Sequence, residues 1–478
     1  MSVLKDYLAC LDRYLMIAPR TCHMPKAHPA SPTGTALLPL SLTFQTQCLS
    51  ETMPAKQDPI LIIGAGTFGL STAYHLAQAG YTSITLLEKG DSIPSPLSAG
   101  NDINKIVRAE YEDPFYAELA LAAISEWTTN PLFTPYFRQV GYLLGNSSAA
   151  PEKSRLSLAR SLASIESHPS FAGGQITPIT SRDDIRRVAP ALDGPMAGWT
   201  GYFNRLAGYA RAADALRALH TAVSSTVEIN LGDAVTALKY DDDGGGTTRC
   251  IGAVTASGKA YTASTVILTL GASLPRLLPS IGPQITAKSW SIVHIQLTPS
   301  EAEHLAGIPV TYSRDLGFFF EPDQTTGLLK LSPSGAGYTN YTNHGGGGGY
   351  DDDKFSVPPD VRPGVIPAVD EEAIRKILKE HLPSLADRPF VDKKICWCAD
   401  TADSEYVIDF VPGADGLIVA SGDSGHAFKM LPLIGGWVMK VVESGEQAIE
   451  QWRWKKEQIK HDDVSWRVGK VRDLSEVM

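Results

Sequence analysis

The residues whose spacing most directly implies chemistry are Gly64, Gly66 and Gly69, a G-x-G-x-x-G set within Gly64-Ala65-Gly66-Thr67-Phe68-Gly69. Ile60 to Ile63 ahead of it suits a short buried strand, and Leu70 to Ala79 behind it suits a helix closed by Gly80. A second apolar run, Ile84 to Leu87, ends in Glu88, 24 residues after Gly64. In such a βαβ unit the first glycine permits a tight turn, the second lets a pyrophosphate approach the backbone, and the third lets helix and strand pack closely. The helix N-terminus offers unpaired N–H groups and partial positive charge to the anion. Glu88 stands where a carboxylate accepts hydrogen bonds from ribose hydroxyls and repels a 2′-phosphate, so FAD or NAD is expected rather than NADP. The plain alternative, a glycine-rich turn without a ligand, does not explain the complete unit.

These residues need a sheet to hold them. Tyr261 to Leu270 reads as a further buried strand ending at Gly271-Ala272, and Gly416 to Ala420 as another ending at Ser421-Gly422. Strands separated by helices imply a doubly wound sheet. Between them, helices are expected around Phe115 to Thr128, Lys153 to His168 and Leu206 to Val223, with alternating strands around 287–297 and 317–331. The expected fold class is therefore α/β and α+β, a Rossmann-like dinucleotide domain interleaved with a mixed-sheet substrate domain. The first would take 54–118, 190–272 and 385–455, and the second 119–189 and 273–384. Residues 1–53 read as a poorly structured extension and 456–478 as a C-terminal tail. Two aspartate and glycine clusters, 241–246 and 345–353, read as surface loops; their spacing matches no calcium loop.

Composition narrows the function. A chain of 478 residues is long enough for two domains sharing a cleft. Its net charge of −10 argues against a nucleic-acid partner. Six cysteines are too sparse for a disulfide framework, which favours a reducing, cytoplasmic setting. No run of about 18 apolar residues suggests a membrane span. The C-terminal Ser475-Glu476-Val477-Met478 is not a Ser-Lys-Leu type peroxisomal address. Within 1–53, a targeting segment and an extension upstream of a start at Met53 both remain open.

Four further segments carry a resemblance: Ser98-Ala99-Gly100-Asn101-Asp102-Ile103-Asn104-Lys105-Ile106-Val107-Arg108, Gly317-Phe318-Phe319-Phe320-Glu321-Pro322-Asp323, Cys396-Trp397-Cys398-Ala399-Asp400-Thr401-Ala402-Asp403 and Ser421-Gly422-Asp423-Ser424-Gly425-His426-Ala427-Phe428-Lys429. Together they resemble the fungal fructosyl amino acid oxidases (amadoriases), grouped with monomeric sarcosine oxidase and the pipecolate and saccharopine oxidases, over about residues 58–455. The resemblance implies a fold of the D-amino-acid-oxidase-like superfamily and FAD as cofactor, covalently bound through Cys396 at its 8α carbon, with Cys398 a neighbour lacking that role. It further implies cofactor contacts at Gly64, Gly66, Thr67, Phe68, Gly69, Glu88, Lys89, Ser98, Asn104, Lys105, Val235, Gly271, Asp423, Gly425, Phe428 and Lys429.

For catalysis the resemblance implies Lys330 as the oxygen-activating cation, Lys105 over the flavin face, Arg108 and Lys429 as ligands of the substrate carboxylate, and His426 near the flavin. It implies amine oxidation: a hydride equivalent leaves the carbon beside nitrogen, the imine is hydrolysed, and O2 becomes hydrogen peroxide. The expected partners are a small amine and O2, acting on a monomer without nucleic acid, membrane or metal. In amadoriases a glutamate four residues after the oxygen-activating lysine contacts the sugar; that position is Ser334 here. The expected substrate is therefore an N-methyl, cyclic or aromatic amino acid, with an alkaloid-type tailoring oxidase that cyclises its imine and a fructosyl amino acid oxidase as alternatives. A dehydrogenase using another electron acceptor also remains open.

Overall fold

The computed structural model describes residues 54–242, 248–343, 354–359, 364–456, 464 and 467–478. The extension 1–53 and most of the two aspartate and glycine clusters, at 243–247 and 344–353, lie outside the described residues. Asp241 and Asp242, expected in a loop, end the strand Val235–Asp242, because antiparallel pairing with Thr248–Thr255 carries regular structure that far.

Among the described residues a six-stranded sheet runs in the order Val407–Phe410, Leu417–Ser421, Thr265–Leu268, Ile60–Ile63, Ile84–Glu88, Glu228–Leu231. Its central strands are parallel, with Ile60 opposite both Thr265 and Ile84. Ile60–Ile63 is buried throughout, which is why it is an unbroken apolar run and not an alternating one. Leu61, Ile63, Leu87, Val266 and Leu268 form one core on this sheet. Helix Thr67–Gln78 packs against helix Leu431–Ser444, and Gly435 is forced there because a Cβ would lie 2.0 Å from Ser71 O. The single strand expected over Tyr261 to Leu270 is two, Ala260–Thr262 and Thr265–Leu268, since its ends pair in different sheets.

A ten-stranded mixed sheet forms the second layer, centred on the strand Thr286–Gln296. That strand pairs antiparallel with Leu328–Pro333 through Val293 to Gln296, and with Val391–Asp400 through Thr286 to His294. Sheet membership cuts across the segment boundaries drawn above: Thr200–Asn204 and Val391–Asp400 both pair here. The run expected as one strand over 317–331 is a hairpin, Gly317–Phe319 and Leu328–Pro333. The helix expected from Leu206 starts at Ala212, because Gly208–Ala210 is drawn into pairing with Lys105–Val107. The segment 456–478 supplies Arg467, buried against Asp400, and the strand Arg472–Asp473 beside Tyr338–Thr339.

Gly69 is the tightest point of the glycine turn. A Cβ on it would lie 1.8 Å from Gly64 O, a backbone atom that cannot yield without moving the turn. Gly69→Ala is therefore expected to cost about 3 kcal/mol or more of stability in urea unfolding, above the usual overpacking range for one methyl group, and to lower bound-flavin stoichiometry.

Candidate active site

The glycine turn leads into a long cleft. Gly64 sits at φ +108°, a conformation that suits glycine alone, and Gly66 precedes the first turn of helix Thr67–Gln78. Gly64, Gly66, Thr67 and Phe68 form the floor of the cleft, and Gly69 packs beneath it. Glu88 is buried, and each carboxylate oxygen accepts one backbone N–H, from Ala65 and from Gly90, both at 2.9 Å. That fixes the carboxylate at the strand end while leaving lone pairs on both oxygens for a diol. Lys89, Ser98, Val235 and Gly271 form the cleft walls. At its inner end lie Asp423, Gly425 and Phe428. Asp423 accepts from Ala399 N at 2.7 Å and Gly425 N at 3.0 Å, and burial pushes its pKa up to about 6.

A second cavity meets the first at Lys105, Cys398, Gly425 and Phe428, which line both. Two lysines, Lys330 buried and Lys105 half-buried, converge here on one carboxylate. Asp102 Oδ2 lies 2.6 Å from Lys330 Nζ and 3.0 Å from Lys105 Nζ. Lys330 also donates to Asn104 O at 2.8 Å, and Asn104 keeps a buried Oδ1 without a partner. Burial lowers the pKa of Lys330 to about 8, against the opposing pull of Asp102. Lys105 also loses from burial, but the Cys396 sulfur and Asp102 outweigh this and raise its pKa. Cys396 Sγ is 3.8 Å from Lys105 Nζ. The thiol of Cys398 and the ammonium of Lys105 pull the pKa of Cys396 down despite burial, whereas its contact with Cys396 drives that of Cys398 up. Of the two thiols, Cys396 is thus the one poised as a nucleophilic thiolate.

Farther along this cavity stand Arg108 and Lys429. Lys429 Nζ donates to Tyr111 Oη at 2.9 Å and to His426 O at 2.8 Å. Burial, and then the Arg108 charge, hold its pKa well below the usual lysine value. His426 Nε2 faces the Ser404 carbonyl at 2.9 Å, so that nitrogen carries the hydrogen, and the single Nδ1 lone pair faces the Tyr111 hydroxyl at 3.0 Å and the Tyr406 hydroxyl at 3.2 Å. Burial keeps the imidazole neutral by lowering its pKa. Arg108 donates to Glu110 O and lies 5.2 Å from the Tyr111 ring centroid. Ser334 lines the same cavity and donates to Ser313 O at 3.2 Å.

The structure thus brings together all the sequence-identified residues except Gly69 and Asn104, which support the walls from behind. Sequence reasoning passed over Asp102, Glu110, Tyr111 and Arg314. Glu110 is 1% exposed, lines the cavity, accepts from Asn204 at 2.7 Å and keeps Oε2 unpartnered. Asp102 had one available signal, its place three residues before Lys105, but in a turn that spacing predicts no contact.

A doubly wound sheet with a glycine turn, a carboxylate at the second strand end and a second cavity abutting the cleft defines a dinucleotide-dependent oxidoreductase. Residues 59–440 match the DAO family model, FAD dependent oxidoreductase, and the chain belongs to that family. L-Saccharopine oxidase of Schizosaccharomyces pombe is 32% identical over 429 residues, covering 87% of this chain and 96% of that protein. Monomeric sarcosine oxidase of a Bacillus species is 24% identical over 400 residues, covering 81% and 93%. The crystal structure of the deglycating fructosamine oxidase of Aspergillus fumigatus, Amadoriase II, superposes with a TM-score of 0.77 at 33% identity, covering 89% of this chain and 97% of that one. The expected fold class and the expected FAD are in accord with these matches. No described helix is long and apolar enough to cross a membrane.

Asp102 is the carboxylate that the Lys330 and Lys105 ammonium groups share. Asp102→Asn is expected to destabilise the folded protein by about 3–5 kcal/mol in chemical denaturation, the usual cost of stranding a buried charge, and to move the Lys330 titration below pH 8.

Proposed function

We propose that this protein is an oxygen-using oxidase of a secondary amine borne by an amino acid, with FAD covalently attached through Cys396. The observation that carries this reading is the junction: a cavity holding two cations, Arg108 and Lys429, opens onto the dinucleotide cleft beside Lys105, Lys330 and the Cys396 thiol. FAD, when bound, supplies the two-electron acceptor that oxidises the carbon beside nitrogen and hands the electrons to O2.

The residues of the chain do the rest. Arg108 and Lys429 hold the substrate carboxylate, Arg108 through its planar fork, and so fix which C–H faces the cleft. His426 is a positioning residue: neutral and held at both nitrogens, it orients Tyr111, which in turn holds Lys429. Glu110 Oε2 offers an acceptor for the substrate N–H. Aromatic walls at Phe318, Phe320 and Trp290 exclude water and suit an N-alkyl or cyclic amine. Ser334 gives this cavity a hydroxyl where an amadoriase would present a carboxylate to the sugar, so a glycated amino acid is the disfavoured substrate.

Lys330, as an ammonium, stabilises negative charge developing on oxygen. Its pKa of about 8 sets the sign of a pH dependence. Below pH 8 the group is charged and reoxidation is fast; above it the charge is lost and the rate falls. Stopped-flow reoxidation of the reduced enzyme is expected to follow that curve, and Lys330→Met to be slower by about 10²–10³-fold and pH-independent, the scale of losing one such electrostatic donor. Acid precipitation is expected to carry yellow flavin with the wild-type and Cys398→Ala proteins, and to release it from Cys396→Ala. Anaerobic bleaching by sarcosine, pipecolate, N-methyl aromatic amino acids, saccharopine and fructosyl-valine, with peroxide formed on readmitting air, tests the reaction itself; no bleaching by any of them counts against it.

A further inference from the structure

Helix Glu152–Glu166 buries an unusual face. Its inward positions are Ser154, Ser157, Ser161 and Ile165, where an amphipathic helix packing on a core would place aliphatic side chains. Two of those serines serve a single arginine: Arg314 donates from one terminal nitrogen to Ser157 Oγ at 2.6 Å and from the other to Ser161 Oγ at 2.8 Å. Arg314 is 5% exposed and its Nε has no partner. A guanidinium is charged at every relevant pH, and hydroxyl oxygens solvate it without neutralising it. Among the described residues no carboxylate accepts directly from the guanidinium. Glu112 reaches Arg314 only through Ser157 and pairs with Arg160 at 2.8 Å. Glu110 accepts from Asn204.

Arg314 also lines the cavity that contains Arg108 and Lys429, together with Ser161, but not the dinucleotide cleft. Its hydrogen bonds run to helix Glu152–Glu166 and not to the strands carrying Lys105, Lys330 and Cys396. The cavity therefore has a further cation, held on an element that carries none of Lys105, Lys330 and Cys396. Resting on the amine-oxidase reading, we infer that Arg314 is a second anion subsite that binds a remote carboxylate of the substrate. The preferred substrates are then N-substituted amino acids with two carboxylates, one on the carbon beside nitrogen and held by Arg108 and Lys429, the other farther along the side chain or N-substituent. Ser157 and Ser161 each take one N–H of a terminal nitrogen and hold the guanidinium in place, and the second N–H on each of those nitrogens is left for the ligand.

The test uses ligands that cannot be oxidised, with sulfur where the amine nitrogen would be: 2-(methylthio)succinate, 2-(methylthio)glutarate and 2-(methylthio)adipate, each compared with its ω-amide. Dissociation constants are read from the flavin absorbance of the holoenzyme. At least one diacid is expected to bind about tenfold more tightly than its amide or better, the scale of one charge-assisted pair. In Arg314→Gln the preference should fall within about twofold while the amide binds as before, and Arg314→Lys should keep part of it. Equal binding of every diacid and its amide by the wild type overturns the inference, a result that needs no variant to fold. So does a preference that survives Arg314→Gln. N-Methyl-L-glutamate and N-methyl-L-glutamine, scored by anaerobic bleaching, separate the two proposals. Neither bleaching while the diacid preference holds sinks the amine-oxidase reading alone; both bleaching without any diacid preference sinks the subsite alone.

Discussion

A carboxylate that is 1% exposed stays ionised only if a counter-charge takes the place of water, and Asp102 has two, Lys330 at 2.6 Å and Lys105 at 3.0 Å. The triad joins three separate pieces of chain: the turn before Lys105–Val107, that strand itself, and the strand Leu328–Pro333 of the large sheet. It stands at the boundary of the dinucleotide cleft and the substrate cavity, so the charge that keeps the fold together there is also the charge any bound flavin and oxygen would meet. The imbalance is useful. One carboxylate against two lysines leaves net positive charge at the junction, where the proposed oxidase would reduce oxygen, and burial poises Lys330 to titrate near pH 8 and not at the usual lysine value.

The strand Thr286–Gln296 turns that charge arrangement into geometry. His294 stands opposite Lys330 on one side and Trp290 opposite Cys396 on the other, so one strand sets the register of both the buried lysine and the thiol. A one-residue slip would send both side chains to the wrong face. Asp400, at the end of the thiol's strand, is locked by Lys288 at 2.8 Å and by Arg467 from near the C-terminus. Against this rigid wall the opposite side of the cavity is a hydrogen-bonded chain, Lys429 to Tyr111 to His426 to the Ser404 carbonyl, which holds an ammonium in place through a neutral imidazole. Lys105, Arg108, Arg314, Lys330 and Lys429 thus all line the one cavity.

Local features of the chain were legible where the physics is local. The glycine turn, its strand and helix, and Glu88 lie within a few dozen residues and are dictated by backbone conformation and close packing, so periodicity and spacing located them. The resemblance carried by four short motifs extended this to Cys396, Lys330, Arg108 and Lys429. Where sequence reading slipped, tertiary pairing overrode local pattern: Gly208–Ala210 became a strand because Lys105–Val107 needed a partner, and the run over 317–331 folded into a hairpin. Arg314 escaped notice because it lies in no motif, and the buried serine face that holds it looks in sequence like an ordinary polar helix side.

What the sequence determined by itself was the dinucleotide fingerprint, the class of cofactor and the inventory of cations, since these depend on residue type and short-range spacing. What only the tertiary structure decided was which of those cations are balanced. Lys330 and Lys105 share one carboxylate from a turn, Arg467 is tied to Asp400, and Arg314 donates to two serine hydroxyls. Charge compensation acts over a few ångströms between residues as many as 228 positions apart in the chain, and no pattern along the sequence encodes a distance that the fold alone creates.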